Sequence, residues 1–268
     1  MRVLARSWLF TPGARPDRFA KAAASAAGAL ILDLEDAVAE ERKREARGHV
    51  LAFLEERPAE RQTIVRINPL GRAVGLEDLA ALAQHPRGPD LILVPKAERP
   101  AELALAAQVL AEAGATAGLV ALVESARGVA CAAELAQSTA RLAALMFGAA
   151  DYAADLGQQV GHFQPDFARA SLVNAAAAGG VPAIDSPFFA IDRPEDLGED
   201  CRLARRLGFY GKAAIHPTQL ESINGAFAPT DAERELARRI LEAAPDGVGI
   251  LDGKMIDIAM VRWATRVG

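Results

Sequence analysis

Two carboxylates in this sequence stand at positions where they could bind a metal ion. Glu124 directly follows the apolar run 119–123, and Asp151 comes shortly after the apolar run 142–148. Uninterrupted apolar runs of this length are typical of strands covered on both faces, as in parallel sheets. Because neighbouring strands lie ~4.8 Å apart and end at the same edge, the two carboxylates are expected to lie side by side. This arrangement suits a hard cation with open coordination positions, although either residue could instead cap the helix that follows it.

Other polar residues also occur where predicted strands end, and in a barrel such residues project towards one mouth. They are Asp33, Glu35, Asp36, Arg66, Lys96, Asp185 and His216. Arg66 is the most informative, because an arginine between branched apolar neighbours is seldom buried without an anionic partner. That partner is either a substrate anion or, in a purely structural pair, Asp33 or Asp36. His216 precedes Pro217 and is more simply explained as a structural histidine.

A repeated alternation of strand and helix is needed to place these residues at one edge. The predicted strands are residues 7–10, 29–34, 63–67, 90–94, 119–123, 142–148, 181–184 and 212–215. The predicted helices are residues 16–27, 40–55, 76–83, 100–113, 127–137, 166–178 and 194–207, with a long loop after the sixth strand. Eight such units predict an α/β fold of the closed (β/α)₈ TIM-barrel type rather than a doubly wound sheet. Neither a dinucleotide-binding nor a P-loop glycine motif follows the first strand.

The alternation stops near the end of the chain, which predicts a barrel at residues 1–226 and an extension at residues 227–268. The extension's predicted elements are a helix at 231–244, a hairpin at 247–257 and a last helix at 258–266. Thr230 and Glu233 form the capping pair expected at the start of the first of these helices. Because these elements are not needed for a barrel, we expect them to cover the barrel mouth or to contact a neighbouring subunit.

The composition narrows the class of function. The chain has 268 residues and a formal charge of −5, with no basic tail or stripe, which argues against general nucleic-acid binding. No apolar stretch approaches the length of a membrane span, so no membrane association is expected. Cys131 and Cys201 form neither a disulfide pattern nor a CxxC motif, which favours a reducing cytoplasmic location. The histidines are too scattered for the usual zinc ligand set. They are His49, His85, His162 and His216.

Seven segments of the sequence together match a known family. They are residues 7–16, 31–38, 65–68, 94–96, 122–128, 148–157 and 215–217. In their order and spacing, from about residue 6 to residue 262, they resemble the citrate lyase beta-subunit-like proteins. These proteins belong to the HpcH/HpaI aldolase superfamily, which also includes malyl-CoA and citramalyl-CoA lyases. The resemblance is specific for the family and says little about the substrate.

The resemblance implies a TIM barrel of the phosphoenolpyruvate/pyruvate type that carries Mg²⁺, or Mn²⁺ in its place, on Glu124 and Asp151. Arg66 would bind the substrate carbonyl and the enolate oxygen. The segment 253–257 matches the family's Gly-Lys-Met-Ile-Asp motif, which implies that Asp257 is a catalytic acid/base donated to the site of a neighbouring subunit. A homotrimer or hexamer is therefore expected. Substrate contacts are expected from Pro12, Gly13, Asp33, Asp36, Arg66 and Glu124.

The implied reaction is reversible carbon–carbon cleavage of a β-hydroxyacyl-CoA thioester such as citryl-, malyl- or citramalyl-CoA. Cleavage produces an enolate, which Mg²⁺ and Arg66 would stabilise. CoA would then be part of the substrate, and a keto acid would be one of the products. Three alternatives stay open. They are a citrate lyase beta subunit acting on a carrier-protein thioester within a complex, a non-catalytic acyl-CoA-binding protein, and a malyl-CoA thioesterase or malate synthase-like enzyme.

One departure from the family concerns the metal site. Many citrate lyase beta subunits have a glutamate directly before the metal-binding aspartate, where this chain has Ala150. A carboxylate that would orient metal-bound water is therefore missing. The segment 183–188 resembles the free acyl-CoA lyases more than the complex subunit, which favours a stand-alone enzyme. Arg15, Arg18 and Lys254 could contact CoA phosphates, although exposed cations are usually only solvated.

Overall fold

Eight parallel strands form a closed barrel. The computed structural model describes residues 4–160 and 163–267, so His162 lies outside the described residues. The strands are β1 (Ser7–Pro12), β2 (Ala29–Asp33), β3 (Gln62–Arg66), β4 (Leu91–Val94), β5 (Gly118–Val123), β6 (Leu142–Phe147), β7 (Ala183–Asp185) and β8 (Gly211–Ala214). Each strand pairs with the next, and β8 pairs with β1 to close the ring. The predicted (β/α)₈ TIM-barrel class is therefore confirmed.

Alternate residues of each strand fill the inside of the barrel, and the others pack under the helices. Leu122 belongs to the inner cluster of apolar side chains, for example, whereas Val123 belongs to the outer cluster. This alternation follows from the two-residue repeat of a strand. The same repeat leads from Ile64 of the inner cluster to Arg66, and from Leu122 to Glu124. The inner positions thus become charged at the carboxyl ends of β3 and β5.

Short helices connect the strands. They are α1 (Phe19–Ala23), α2 (Lys43–Glu56), α3 (Ala73–Gln84), α4 (Pro100–Glu112), α5 (Ala126–Ala130), α6 (Ala132–Ala136), α7 (Ala149–Asp155), α8 (Asp166–Ala178), α9 (Pro194–Leu207) and α10 (Leu220–Phe227). The expectation of a long loop directly after β6 is wrong, because α7 begins there and carries Asp151 in its first turn. At seven residues, α7 is too short to show a helical repeat of apolar residues. None of the described helices is long and apolar enough to cross a membrane.

The chain divides after Phe227 into two compact units. The second unit contains α11 (Asp231–Ala243), β9 (Gly249–Leu251), β10 (Lys254–Ile256) and α12 (Ile258–Val267). The Glu233 N–H donates to the Thr230 hydroxyl over 3.2 Å, and the Thr230 N–H donates to the Glu233 carboxylate over 2.7 Å, so the predicted capping box is confirmed. The predicted hairpin turns at Asp252 and Gly253, both of which have the positive φ that a tight two-residue turn requires.

A buried ion network joins β7 and β8 to the helices α8 and α9. Lys212 lies 2.6 Å from both Asp185 and Asp200, and Arg169 lies 2.7 Å from Asp185 and 3.0 Å from Asp200. Two cations thus face two carboxylates, which offsets the free energy of removing these charges from water. The expectation that Asp185 projects into the barrel mouth is wrong, because its side chain is completely buried in this network.

Lys212→Met is expected to lower the free energy of unfolding by about 3–5 kcal/mol, because it leaves the fully buried Asp185 and the partly buried Asp200 with a single cation. Urea titration followed by circular dichroism measures the change. Lys21→Met, at an exposed position of α1, is the control and is expected to stay within about 0.5 kcal/mol of the parent. A loss below about 1 kcal/mol for Lys212→Met would contradict the assignment of the network as a stabilising element.

Candidate active site

A cavity of about 400 Å³ lies at the carboxyl ends of the barrel strands. Its charged lining residues are Asp33, Asp36, Arg66, Glu124 and Asp151. Its apolar wall includes Phe10, Pro12, Met146, Pro187, Phe189 and Ile215. The barrel therefore brings both predicted metal ligands and the predicted substrate-binding arginine to one place, which the spacing of the strand ends had indicated.

Arg66 is held by carboxylates from the end of β2. Its Nε and Nη2 groups donate to the two carboxylate oxygens of Asp33, each over 2.7 Å. Its Nη1 lies 2.9 Å from Oε2 of Glu35, and its guanidinium carbon lies 5.1 Å from the centre of the Phe10 ring. Burial alone would lower the pKa of Arg66, but Asp33 and Glu35 outweigh this effect and raise the pKa, so the charge is permanent. The structural pair with Asp33 is thus present, and the arginine nevertheless lines the cavity.

Glu124 is almost completely buried at the end of β5, with 3% of its surface exposed. Its Oε1 accepts a hydrogen bond from the main-chain N–H of Lys96 over 2.8 Å. Burial, together with the nearby carboxylates of Glu35 and Asp151, raises the pKa of Glu124 to about 8. Gly148 makes room for this side chain, since a Cβ at that position would stand 2.7 Å from Oε2 of Glu124. The absence of a side chain at position 148 therefore allows the carboxylate to lie where it does.

Asp151 lines the same cavity from the first turn of α7. Its side chain is 38% exposed, and its Oδ1 lies 3.8 Å from Nζ of Lys96. The alternative that the two carboxylates are helix caps is wrong. Ser125 caps α5 by accepting a hydrogen bond from the Gly128 N–H over 3.0 Å, and Asp151 lies within α7 rather than before it. Glu124 and Asp151 are therefore both available to a ligand in the cavity.

Glu35 and Lys96 also belong to the mouth, as their positions at strand ends predict, although no metal or substrate contact was predicted for them. The Lys96 ammonium donates to Oε1 of Glu35 over 2.6 Å. Burial raises the pKa of Glu35, an effect that Arg66 and Lys96 oppose. Lys96 has a φ of +50°, which is uncommon for a residue with a side chain. Pro95, which cannot donate to the strand ladder, is the one signal in the sequence of an irregular backbone at this point.

The other expected substrate contacts differ in where they lie. Pro12, Asp33 and Asp36 line the cavity, whereas Gly13 is not among its lining residues. The Gly13 N–H donates to the main-chain carbonyl of Asp33 over 2.8 Å, and a Cβ at Gly13 would stand 2.7 Å from that oxygen. The glycine thus allows the loop after β1 to close on the end of β2. Contact of these residues with a substrate stays a prediction.

Two further candidate residues act as helix caps. His216 has the structural role expected from the sequence, because its Nδ1 lies 2.8 Å from Oγ1 of Thr218 and caps the short 3₁₀ helix before α10. Asp257 belongs to the second unit, where its Oδ1 accepts hydrogen bonds from the N–H groups of Ala259 and Met260 over 2.9 and 3.2 Å. Asp257 is also exposed, and its catalytic role stays a prediction.

Binding of a divalent cation to this site is expected to strengthen with pH. Since the pKa of Glu124 lies at about 8, a cation must displace its proton at lower pH. Affinity should therefore rise about tenfold per pH unit up to about pH 8 and then level off. Mn²⁺ titration calorimetry in buffers of different ionisation enthalpy measures both the affinity and the proton release. An affinity that does not change between about pH 6 and about pH 8 would contradict this assignment.

Known proteins resemble this chain over nearly its whole length. The sequence matches the HpcH/HpaI aldolase/citrate lyase family over residues 6–217 and the C–C bond lyases of the TIM-barrel fold over residues 175–268. A (3S)-malyl-CoA thioesterase of Cereibacter sphaeroides is 37% identical over an alignment 264 positions long, which covers 94% of this chain and 89% of the relative. The citrate lyase subunit beta of Escherichia coli is 34% identical over an alignment 280 positions long, which covers 98% of this chain and 91% of the relative.

A solved structure shows the same likeness. The crystal structure of CitE from Mycobacterium tuberculosis in complex with magnesium, acetoacetate and coenzyme A is 36% identical in sequence and superposes with a TM-score of 0.80. The match covers 100% of this chain and 98% of that chain. Sequence and structure agree with the resemblance described above, and the chain therefore belongs to the HpcH/HpaI aldolase/citrate lyase family.

Proposed function

We propose that this protein is a Mg²⁺-dependent lyase that cleaves a carbon–carbon bond of a β-hydroxyacyl-CoA thioester through an enolate. The observation that carries the proposal is that Arg66, Glu124 and Asp151 line a single cavity. Cleavage places negative charge on the thioester oxygen, and a cation beside a guanidinium is suited to stabilise that charge. Citryl-, malyl- and citramalyl-CoA are the candidate substrates.

The donor set at the mouth fits Mg²⁺, with Mn²⁺ as a substitute. Mg²⁺ commonly takes one or two protein carboxylates and completes its shell with water and substrate oxygens. Glu124 and Asp151 would supply those carboxylates, and the cavity leaves space for the remaining ligands. Within residues 4–160 and 163–267, no group of three or more His, Cys, Asp or Glu side chains is arranged to hold a metal by itself. When bound, the cation would act as a Lewis acid towards the keto-acid and enolate oxygens.

Arg66 is proposed to bind the oxygen on which charge develops. A guanidinium has five N–H groups, and two of them, on Nε and Nη2, donate to Asp33. Nη1 lies 2.9 Å from Oε2 of Glu35 without forming a hydrogen bond to it. N–H groups on both Nη atoms therefore remain for another acceptor. Because the carboxylates already hold the guanidinium in place, little reorganisation is required when charge appears in the cavity.

The second unit is proposed to complete the site of a neighbouring subunit in a homotrimer or hexamer. There, Asp257 would transfer a proton at the enolate carbon or the hydroxyl group. Support comes from Ile250 and Met255, which face each other across the hairpin and are 74% and 71% exposed. Paired apolar side chains that stand in water are typical of surfaces that bind another protein. Sedimentation velocity of the purified protein would determine the oligomeric state.

Thioester hydrolysis is the second candidate function. The relative from Cereibacter sphaeroides that is 37% identical is a (3S)-malyl-CoA thioesterase. The two reactions use the same acyl-CoA and differ in which bond is broken and in whether water enters. Ala150 precedes Asp151, so the carboxylate that many citrate lyase beta subunits have at this position is missing from the mouth.

A panel of acyl-CoA thioesters, assayed with Mg²⁺ in both directions, tests the proposal. A lyase forms a keto acid and a shorter acyl-CoA in equal amounts, whereas a thioesterase releases free CoA, which a thiol reagent detects. Asp257→Asn is expected to lower kcat about 10²-fold or more while Mn²⁺ binding is retained, because the amide oxygen can still cap α12 but the side chain cannot transfer a proton. Failure to convert citryl-, malyl- or citramalyl-CoA in either direction would argue against the lyase function. It would favour a non-catalytic binding protein or a subunit of a complex.

A further inference from the structure

Lys96 adopts a backbone conformation that side chains disfavour. Its φ of +50° lies in the left-handed region, where Asp252 of the hairpin turn is the other non-glycine residue of the described chain. This conformation directs the Lys96 N–H at Oε1 of Glu124, 2.8 Å away. Glycine would provide the same N–H with less strain. Strained residues cluster at functional sites, so a lysine in this conformation indicates that its side chain has a use there.

The side chain of Lys96 lies among three carboxylates. Its Nζ is 2.6 Å from Oε1 of Glu35 and 3.8 Å from carboxylate oxygens of both Asp36 and Asp151. One residue thus contacts Glu124 through its main chain and lies beside Asp151 through its ammonium. The side chain of Lys96 is 44% exposed, whereas that of Arg66 is 10% exposed.

The charges at the mouth are unbalanced. Two cations, Arg66 and Lys96, stand among carboxylates that exceed them in number. These groups are Asp33, Glu35, Asp36, Asp151 and Glu124, and they outnumber the two cations even when Glu124 carries a proton. Arg66 is committed to Asp33, so Lys96 is the countercharge nearest to Asp151. An ammonium in this place repels an incoming divalent cation and attracts an anion, because both effects are Coulombic and act over a few ångströms.

We propose that Lys96 is a counter-ion and positioning residue of the cation site. Its charge lowers the affinity of the site for a divalent cation alone and favours binding of the cation together with an anionic keto acid. The inference rests on the proposed cation site at Glu124 and Asp151. Its ammonium is paired with Glu35 and lies 3.8 Å from Asp151, and it keeps the pair with Glu35 but moves away from Asp151 when the cation arrives. Its main-chain N–H keeps Glu124 oriented throughout.

Lys96→Gly and Lys96→Arg test this inference. Glycine keeps the N–H and accepts the positive φ but removes the ammonium, whereas arginine keeps the charge. Titration calorimetry would measure Mn²⁺ binding alone and pyruvate binding at saturating Mn²⁺. For Lys96→Gly we expect Mn²⁺ to bind about fivefold tighter and pyruvate about tenfold more weakly, whereas Lys96→Arg is expected to stay within about twofold of the parent for both ligands.

The opposite signs of the two changes distinguish this role from a structural one. A variant that is merely misfolded or loosened would bind both ligands more weakly, and thermal unfolding of the metal-free protein would show the damage. Unchanged affinities in Lys96→Gly, or equal losses of both, would overturn the inference. Absence of Mn²⁺ binding by the parent protein would instead overturn the proposed function on which the inference rests.

Discussion

Replacing Arg66 by lysine is expected to lower kcat about 10²–10³-fold on the best substrate of the acyl-CoA panel. Lysine keeps a positive charge but cannot donate to both oxygens of Asp33 and to a substrate oxygen in fixed directions. The loss should appear mainly in kcat, because the developing charge of the transition state depends on the fixed donors more than the bound substrate does. Steady-state kinetics at saturating Mg²⁺ measures the effect.

Arg206→Lys, at an exposed position of α9, is the matched control and should leave kcat unchanged. Asp33→Asn adds a second comparison. It keeps the guanidinium but weakens the pair that holds it, so its kcat is expected to lie between those of the parent and Arg66→Lys. A kcat for Arg66→Lys within about tenfold of the parent would exclude Arg66 as the principal donor to the oxyanion.

Glu124→Gln is expected to weaken Mn²⁺ binding about 10²-fold or more and to lower turnover by at least about 10³-fold. Glutamine has nearly the same shape and can still accept the hydrogen bond from the Lys96 N–H, but it brings no charge to the cation. Removing a buried carboxylate that lies near other carboxylates should not destabilise the metal-free protein. Calorimetry with Mn²⁺ and thermal unfolding without it measure the two properties separately.

The exposed Glu134 on α6 provides the control. Glu134→Gln removes the same charge at a position that does not line the cavity and should change neither Mn²⁺ binding nor turnover. If Glu124→Gln retained parental Mn²⁺ affinity, the cation would have to bind elsewhere, and the proposed mechanism would lose its Lewis acid.

Much of the architecture follows from the order of apolar runs. Each buried strand of the barrel is a short apolar segment bounded by glycine, proline or charge, so eight strands can be recognised without coordinates. The two-residue repeat then explains why Arg66 and Glu124, two positions beyond inner apolar residues, reach the mouth. The family resemblance added the expected roles of these residues, which the patterns alone left open.

The sequence predicts Asp33 or Asp36 as a structural partner of Arg66, but the choice between the two depends on strand register, which the sequence does not reveal. Asp33 and Arg66 are neighbours in the ladder between β2 and β3, and this pairing produces their two-point contact. Asp185 was expected at the mouth because it directly follows the strand predicted at residues 181–184. Asp185 is instead the last residue of β7, and its neighbour Ile184 belongs to the inner cluster. The two-residue repeat of a strand therefore directs Asp185 outward, where it pairs with Arg169 of α8.

Local backbone geometry was equally inaccessible from the sequence. The positive φ of Lys96 cannot be predicted from the residue itself, since lysine rarely adopts it, and Pro95 indicates only that the backbone is irregular at this point. The short helix α7 was read as loop, although the cavity was still correctly expected to include Asp151. These are features that tertiary contacts impose on segments with little preference of their own.

The fixed position of Arg66 limits how this scaffold can acquire new substrates. Its ties to Asp33 and Glu35 leave the side of the pocket formed by β2 and β3 little freedom to change. The opposite wall, formed by Pro187, Phe189 and Ile215, has apolar side chains whose size can vary without disturbing any ion pair. Libraries for directed evolution towards bulkier or smaller keto acids should therefore diversify those three positions first.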